Sequence, residues 1–494
     1  MRQKRIAALG LIVALVSGCS LQPTYERPLA PIAGTFPSGA AYQSRPSAQS
    51  ATTLPAVDIG WRDFLRDARL QRLVEIALAN NRDLRVAMLN VQQVRAQYQI
   101  QRAALFPQLG AFADGSRSHT PAGTALSGKA NTSQSYEVGV SASWEIDFFG
   151  RLRSLSDAAL QQYFATAYAR QAAEILLVSQ VADQYLTLLA FDEQLLVTQE
   201  TAASARASYD IVKLQFDTGT GTELALRQAQ TVVEQAQANY AAQVRGRAQA
   251  ENALVLLIGE ALPADLPAPV RLGAQPILTD IPEGLPSDLL TRRPDILQAE
   301  ALLRSENANI GAARAAFFPR ISLTGSSGTA SASLSGLFGA GTAAWSLLPS
   351  ITVPLFDAGA LAADLEVAKV RKDIGVAQYE KAIQSAFREV ADGLAARGTY
   401  DDQLAALGRY TAAQQRRLEL STFRYKNGVD NYLSVLTAQT DYYNGQLSFV
   451  ATELQRLTNL VNLYRALGGG WIQKTGDPAR PADLMAQQAP NSSR

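Results

Sequence analysis

The sequence predicts a mainly α-helical chain with a small membrane-spanning β part, internally duplicated. Its strands close only as a trimeric 12-strand barrel, four strands per chain, continued by an α-helical barrel. Three observations predict this: a repeat covering nearly the whole mature chain, strict period-two segments, and helical runs too long for a compact domain. The repeat is direct. Arg102-Ala103-Ala104-Leu105-Phe106-Pro107 returns 212 residues later as Arg314-Ala315-Ala316-Phe317-Phe318-Pro319, and the same offset places Asp83 on Asp295 and Leu73 on Leu285. At 209 residues, Val181-Ala182-Asp183 falls on Val390-Ala391-Asp392, Gly219 on Gly428, Ala229-Gln230 on Ala438-Gln439, and Gly259 on Gly468. The three-residue step arises between Pro107 and Gly150, and length changes concentrate in exposed loops.

The amino terminus carries an address. Arg2, Lys4 and Arg5 precede an apolar run from Ile6 to Val16, then Ser17, Gly18 and Cys19. That is a secretory signal peptide, too short to span as a helix. Val16-Ser17-Gly18-Cys19 resembles the bacterial lipoprotein box, which implies a signal peptide over 1–18 and lipidation of Cys19, the sole cysteine. Ser20 stands where Asp would imply inner-membrane retention, so the outer membrane is expected. Residues 19–60, rich in Pro, Ala, Ser and Gln and without periodicity, read as a lipid-anchored extended tether.

Bulk composition excludes several functions. With 45 basic and 44 acidic side chains interspersed, no nucleic-acid face is indicated. The single Cys and single His exclude disulfides, Cys-rich zinc sites and, unless His119 serves it, a Ser-His-Asp triad. His119 lies in a Ser, Gly and Pro rich stretch from Gly115 to Asn131 that reads as an exposed loop. Gly339-Ala340-Gly341-Thr342-Ala343-Ala344 matches a dinucleotide pattern by letters but lacks the strand-to-helix setting. No cofactor, metal or catalytic site is expected.

Within the first repeat, 61–262, residues Asp67 to Phe106 contain neither Gly nor Pro and show helical spacing until Pro107 ends the helix. A strand pair over about 108–147 follows. Tyr136, Val138, Val140, Ala142, Trp144 and Ile146 alternate with polar or small residues, and aromatics lie toward the ends as interfacial anchors do. Arg151 to Thr218, 68 residues without Gly or Pro, would rise roughly 100 Å as one helix. It ends at the tip Phe216-Asp217-Thr218-Gly219, with Gly219 a left-handed cap, and a helix returns from Leu224 to Ile258. A linker over 263–284, Pro-rich, joins the copies.

The second repeat, 285–471, carries a strand pair over about 320–356, a long helix from Ala360, the tip Tyr425-Lys426-Asn427-Gly428, and a return from Tyr432 to Leu467. Four glycines, Gly375, Gly393, Gly398 and Gly408, predict a less rigid second long helix. A polar tail over 472–494 completes the chain. Two copies give four strands, whereas the smallest closed membrane barrels have about eight. Open edges in lipid leave backbone groups unpaired, so chains must share a barrel. Three chains supply twelve strands and twelve helical segments, enough to wall a periplasmic tube.

At these residues the chain resembles an outer membrane factor of the TolC/OprM type, in the NodT-like lipoprotein branch. The resemblance runs from Cys19 to Trp471. It rests on the duplicated plan, the two Phe-Pro junctions, Phe356-Asp357-Ala358-Gly359, Gly428-Val429-Asp430-Asn431-Tyr432-Leu433 and the closing Ala466-Leu467-Gly468-Gly469-Gly470-Trp471. It implies a homotrimer in outer-membrane lipid, serving as the exit duct of a tripartite efflux system for drugs, toxic compounds or metal ions. A periplasmic adaptor and an inner-membrane transporter are the implied partners. The family closes and docks at its tips, here Phe216 to Leu224 and Tyr425 to Leu436. Phe216, Asp217, Gly219, Tyr425, Gly428, Asp430, Tyr432, Leu433 and Thr437 are therefore the candidate gate residues. Leu433 matches a constricting leucine; Thr437 stands where relatives often carry an Asp ring. Asp430 and Asp441 are either pore charges or ordinary helix-end carboxylates. The alternatives are an exit for secreted polypeptides and a non-conducting helical scaffold.

Overall fold

A computed structural model describes residues 20–42, 54–124, 128–279, 281–282 and 286–478. Cys19 and most of the polar tail lie outside the described residues. In chain order the first copy comprises α1 (Trp61–Phe64), α2 (Ala68–Asn80), α3 (Arg82–Ala103), β1 (Gln108–Thr120), β2 (Asn131–Ile146), α4 (Arg151–Asp217) and α5 (Glu223–Ile258). The second comprises α6 (Pro286–Arg292), α7 (Pro294–Ala315), β3 (Arg320–Ser331), β4 (Ala343–Thr352), α8 (Ala360–Lys426) and α9 (Tyr432–Ala466). Two compact units result, each drawing on both copies.

The first unit holds the strands, with residues 90–166 and 298–380 and the amino-terminal segment to Leu29. Its sheet is antiparallel in the order β1-β2-β3-β4. The seam β2–β3 joins the copies, with Gly139 opposite Gly328 and Trp144 opposite Leu323. Among the described residues, edges β1 and β4 have no partner strand. Pro349, opposite Leu323 on β4, has no N–H and so leaves one ladder hydrogen bond unmade at that position. Beneath the sheet, Phe149 stacks on Phe318 of the other copy at 4.8 Å, and Trp144 Nε1 donates to the Leu105 carbonyl at 3.1 Å. The stretch from Gly115 to Asn131 departs from the sequence expectation. β1 runs on to Thr120, and His119 pairs with Thr132, its Nδ1 lying 2.9 Å from Thr132 Oγ1. Ladder hydrogen bonds hold these polar residues in a strand that side-chain alternation alone does not mark.

The same unit holds the first part of the tether. Residues 20–29 are extended but docked on α7. Arg27 binds Glu300 through two hydrogen bonds of 3.0 and 2.8 Å, Tyr25 adds a third at 3.2 Å, and Arg304 lies over the Tyr25 ring. Asn307 donates to the Pro23 carbonyl at 2.7 Å. The Glu300 side chain is only 4% exposed, yet its carboxyl is held below its usual range, because the hydrogen bonds and charges of Arg27 and Arg304 outweigh the upward push of burial. Low-complexity composition does not reveal such a strap, because its partners lie some 270 residues away.

In the second unit the helix expected from Asp67 to Phe106 breaks at Asn81. Its Oδ1 accepts the Leu84 N–H and its Nδ2 donates to the Leu257 carbonyl, both at 2.8 Å, so one side chain caps two helices. Arg293, 212 residues on, performs the matching task on the Ala466 carbonyl at 2.8 Å. The duplication therefore extends to capping. The Phe64 and Tyr464 rings stack at 4.0 Å, and Trp61 N–H donates to the Ile472 carbonyl at 2.9 Å.

Helices α4 and α8 are each 67 residues, continuous despite the glycines of α8. Two of those glycines serve close packing. A β-carbon at Gly393 would stand 3.0 Å from Leu463, and one at Gly375 3.3 Å from Leu303. Glycine in a helix lowers its intrinsic stability but lets a neighbour approach.

Candidate functional site

The tips lie in the second unit, where α4 turns into α5 and α8 into α9. Both turns are built alike. Gly219 (φ +75°) donates to the Phe216 carbonyl and Thr220 to that of Gln215; Gly428 (φ +73°) donates to the Tyr425 carbonyl and Val429 to that of Arg424. These are Schellman caps, and the left-handed φ explains the glycines. Thr222 then caps α5 and Asn431, 209 residues on, caps α9.

The side chains differ where the caps agree. Val212, Ala229, Tyr432 and Val435 form a buried cluster that joins α4, α5 and α9, with Tyr425 packed against it. The Tyr425 and Tyr432 rings meet edge to face at 5.3 Å, and the Tyr425 hydroxyl donates to Gln215 Oε1 at 2.6 Å. This bond ties the second tip to the first. Burial pushes the Tyr432 hydroxyl up to about 12 and raises that of Tyr425, so both stay protonated at physiological pH.

Arg424 grips Asp430 through two bonds of 2.6 and 3.0 Å across the second turn. The hydrogen bond from Arg424 holds the Asp430 carboxyl below its usual range. The first tip has no such pair, because the matching positions are Gln215 and Gly221. A β-carbon at Gly221 would stand 2.9 Å from the Phe216 nitrogen, so this turn excludes a side chain there.

The structure divides the sequence-predicted residues. Tyr425 is a packing and hydrogen-bonding group and Tyr432 a packing group, while Phe216, Leu433 and Thr437 are surface residues, with Leu433 50% exposed at the start of α9. The Thr437 hydroxyl donates back to the Leu433 carbonyl at 2.9 Å. Asp217, Asp430 and Asp441 each face a cation of the same chain: Lys213, Arg424 and Arg417 respectively. Their charge is matched locally. Sequence reasoning missed Gln215, Arg424 and Arg417. The 209-residue offset sets Gln215 on Arg424 and would have flagged that position.

The model of the family described as "Outer membrane efflux protein" matches residues 73–260 and 285–469, one match on each copy. The chain belongs to the outer membrane efflux protein family. It is 44% identical over 97% of its length to the toluene efflux pump outer membrane protein TtgC of Pseudomonas putida, spanning 99% of that relative. It is 45% identical to the outer membrane protein OprJ of Pseudomonas aeruginosa, covering 95% of this chain and 97% of OprJ. The open state of the MtrE outer membrane channel of Neisseria gonorrhoeae superposes with a TM-score of 0.82 at 42% identity, covering 92% of this chain and 100% of that one. This outer membrane efflux protein therefore has the fold of the trimeric TolC-like channels, mostly helical with four strands per chain. It is an efflux duct that works within a tripartite pump, and not an enzyme.

Proposed function

We propose that three copies of this efflux protein close a twelve-stranded barrel in the outer membrane and that the helical tips shut its periplasmic end at rest. The observation that carries the assembly is the sheet with two unpartnered edges. β1 and β4 cannot face lipid unpaired, so β4 of one copy joins β1 of the next. A periplasmic adaptor and an inner-membrane transporter deliver the cargo. Relatives named for toluene, solvent and antibiotic efflux support small organic toxicants as that cargo.

The gate reading rests on the linked tips. Tyr425 ties the two turns together, and Arg424–Asp430 stiffens the second, so releasing both frees α9 and with it Leu433. The double variant Arg424→Ala, Tyr425→Phe should form trimers as stable as wild type but give a several-fold higher conductance in planar bilayers. Unchanged conductance with intact trimers would remove these residues from the gate.

The anchor is proposed on Cys19. The strap places Leu21 against α7, its carbonyl accepting from Arg314 at 3.3 Å, six residues before β3 begins at Arg320. An acyl chain on Cys19 would thus enter the bilayer beside the strands. Cys19→Ala should leave an uncleaved precursor without the acyl mass increment. A variant of wild-type mass and processing would refute the lipidation.

A further inference from the structure

Above the tips, α4, α5 and α9 line a half-open cavity of about 340 Å³. Its volume is at the lower end of the range for small-molecule sites, roughly 300–1,000 Å³. No charged side chain lines it. Four carboxamides do, Gln235, Asn239, Gln439 and Asn444, together with threonine hydroxyls and an apolar strip that includes Val232 and Leu436. Beside it, the Thr198 hydroxyl lies 3.1 Å from that of Tyr443 and links α4 to α9.

Gln439 is the unusual member. It is 4% exposed, and neither its Oε1 nor its Nε2 has a hydrogen-bond partner. A buried amide with both ends unpaired is costly, because water has been removed and nothing replaces it. Its counterpart in the first copy, Gln230, is partly exposed and accepts from Arg227 at 3.1 Å. The repeat therefore did not require this amide to be buried. Glutamine has three side-chain torsions, so a rotation can turn the amide into the adjoining space.

We infer that this cavity binds an uncharged small molecule bearing a cis-amide edge, such as a lactam, with Gln439 as its recognition residue. An adjacent donor and acceptor on the ligand match Nε2 and Oε1 of Gln439 in one planar pair. The lack of lining charge disfavours anions and cations, and the apolar strip receives the ligand's methylenes. Bound there, the ligand bridges α4, α5 and α9 above the tips. The site is independent of the gate reading, because binding is measured directly and not through conductance.

Saturation-transfer NMR on the full-length protein in detergent micelles tests this, with caprolactam as probe. Caprolactam should bind saturably, and N-methylcaprolactam, which lacks the donor, about tenfold more weakly or worse. Gln439→Leu removes an unpaired amide and should fold while losing the preference for caprolactam. Val232→Trp, which fills the space from α5, should abolish binding of both lactams. Equal binding of the two lactams by wild type, unchanged preference in Gln439→Leu, or no saturable caprolactam binding to wild type would overturn the site.

Discussion

Gly328→Val is expected to abolish trimer assembly. In the β2–β3 seam Gly328 lies directly opposite Gly139, so two glycines from different copies meet backbone to backbone. A β-carbon at Gly328 would overlap the Val138 carbonyl oxygen and stand 2.6 Å from Gly139 Cα; one at Gly139 would stand 2.7 Å from the Ser327 carbonyl oxygen. These obstacles are backbone atoms held by the ladder, and they cannot yield as a flexible side chain would. Overpacking commonly costs about 1–3 kcal/mol, and a seam that must open to accept a branched side chain belongs at or above that upper end. Among the described residues, the seam is also the only pairing that joins the two hairpins. Semi-native electrophoresis should show the trimer band lost in Gly328→Val and retained in Gly110→Ala, where the nearest atom to a new β-carbon is Ser141 Oγ at 3.7 Å. Normal trimers of Gly328→Val would mean that β2 and β3 are not packed as described.

Asp183→Asn is expected to stabilise the chain, and to do so increasingly as pH rises. Asp183 is partly buried on α4, with Asn462 donating to its Oδ2 at 3.2 Å and its Oδ1 shielded from solvent and unpartnered. Burial pushes its carboxyl up to about 7, against the opposing effects of Asn462 and Arg465. An unfolded Asp titrates near 4, so between about pH 4 and 7 the folded chain keeps a proton that the unfolded chain has lost. Stability therefore falls as pH rises through that window and is level above it, the reverse of a salt-bridged carboxylate. At about 1.4 kcal/mol per pKa unit, the loss amounts to a few kcal/mol above pH 7. Thermal melts of Asp183→Asn and wild type should nearly coincide near pH 4 and separate above pH 7. Asp392, the counterpart in the second copy, is 74% exposed on its side chain, and Asp392→Asn should show no such trend. A difference independent of pH would mean that Asp183 is not a buried acid.

The duplication explains which features could be read from the chain. Elements set by local pattern were legible: the Phe-Pro junctions, the alternation from Tyr136 to Ile146, and the capping glycines Gly219 and Gly428 all follow from short-range sterics and periodicity. Features set by distant partners were not. Glu300 becomes a clamp only because Tyr25 and Arg27 reach it, and Asn81 breaks a helix only because the Leu257 carbonyl awaits its amide. At the tips the sequence indicated the place and the glycines, but the pairing of Tyr425 with Gln215 crosses from one copy to the other. Asp430 and Asp441 could not be assigned from sequence, because their arginine partners lie six and 24 residues away with no fixed helical spacing to reveal both.

The central proposal, a duct that three chains form and their tips close, is tested most directly by single-channel recording of Leu433→Cys in planar bilayers. The only native cysteine is Cys19, so a lipidated chain offers the new thiol alone to a bulky thiol-reactive reagent. The proposal predicts that the variant conducts and that modification reduces its conductance severalfold, with protection when the reagent is absent from the tip side. Channels that conduct identically before and after complete modification would contradict closure at the tips, and stable trimers that never conduct would contradict the duct.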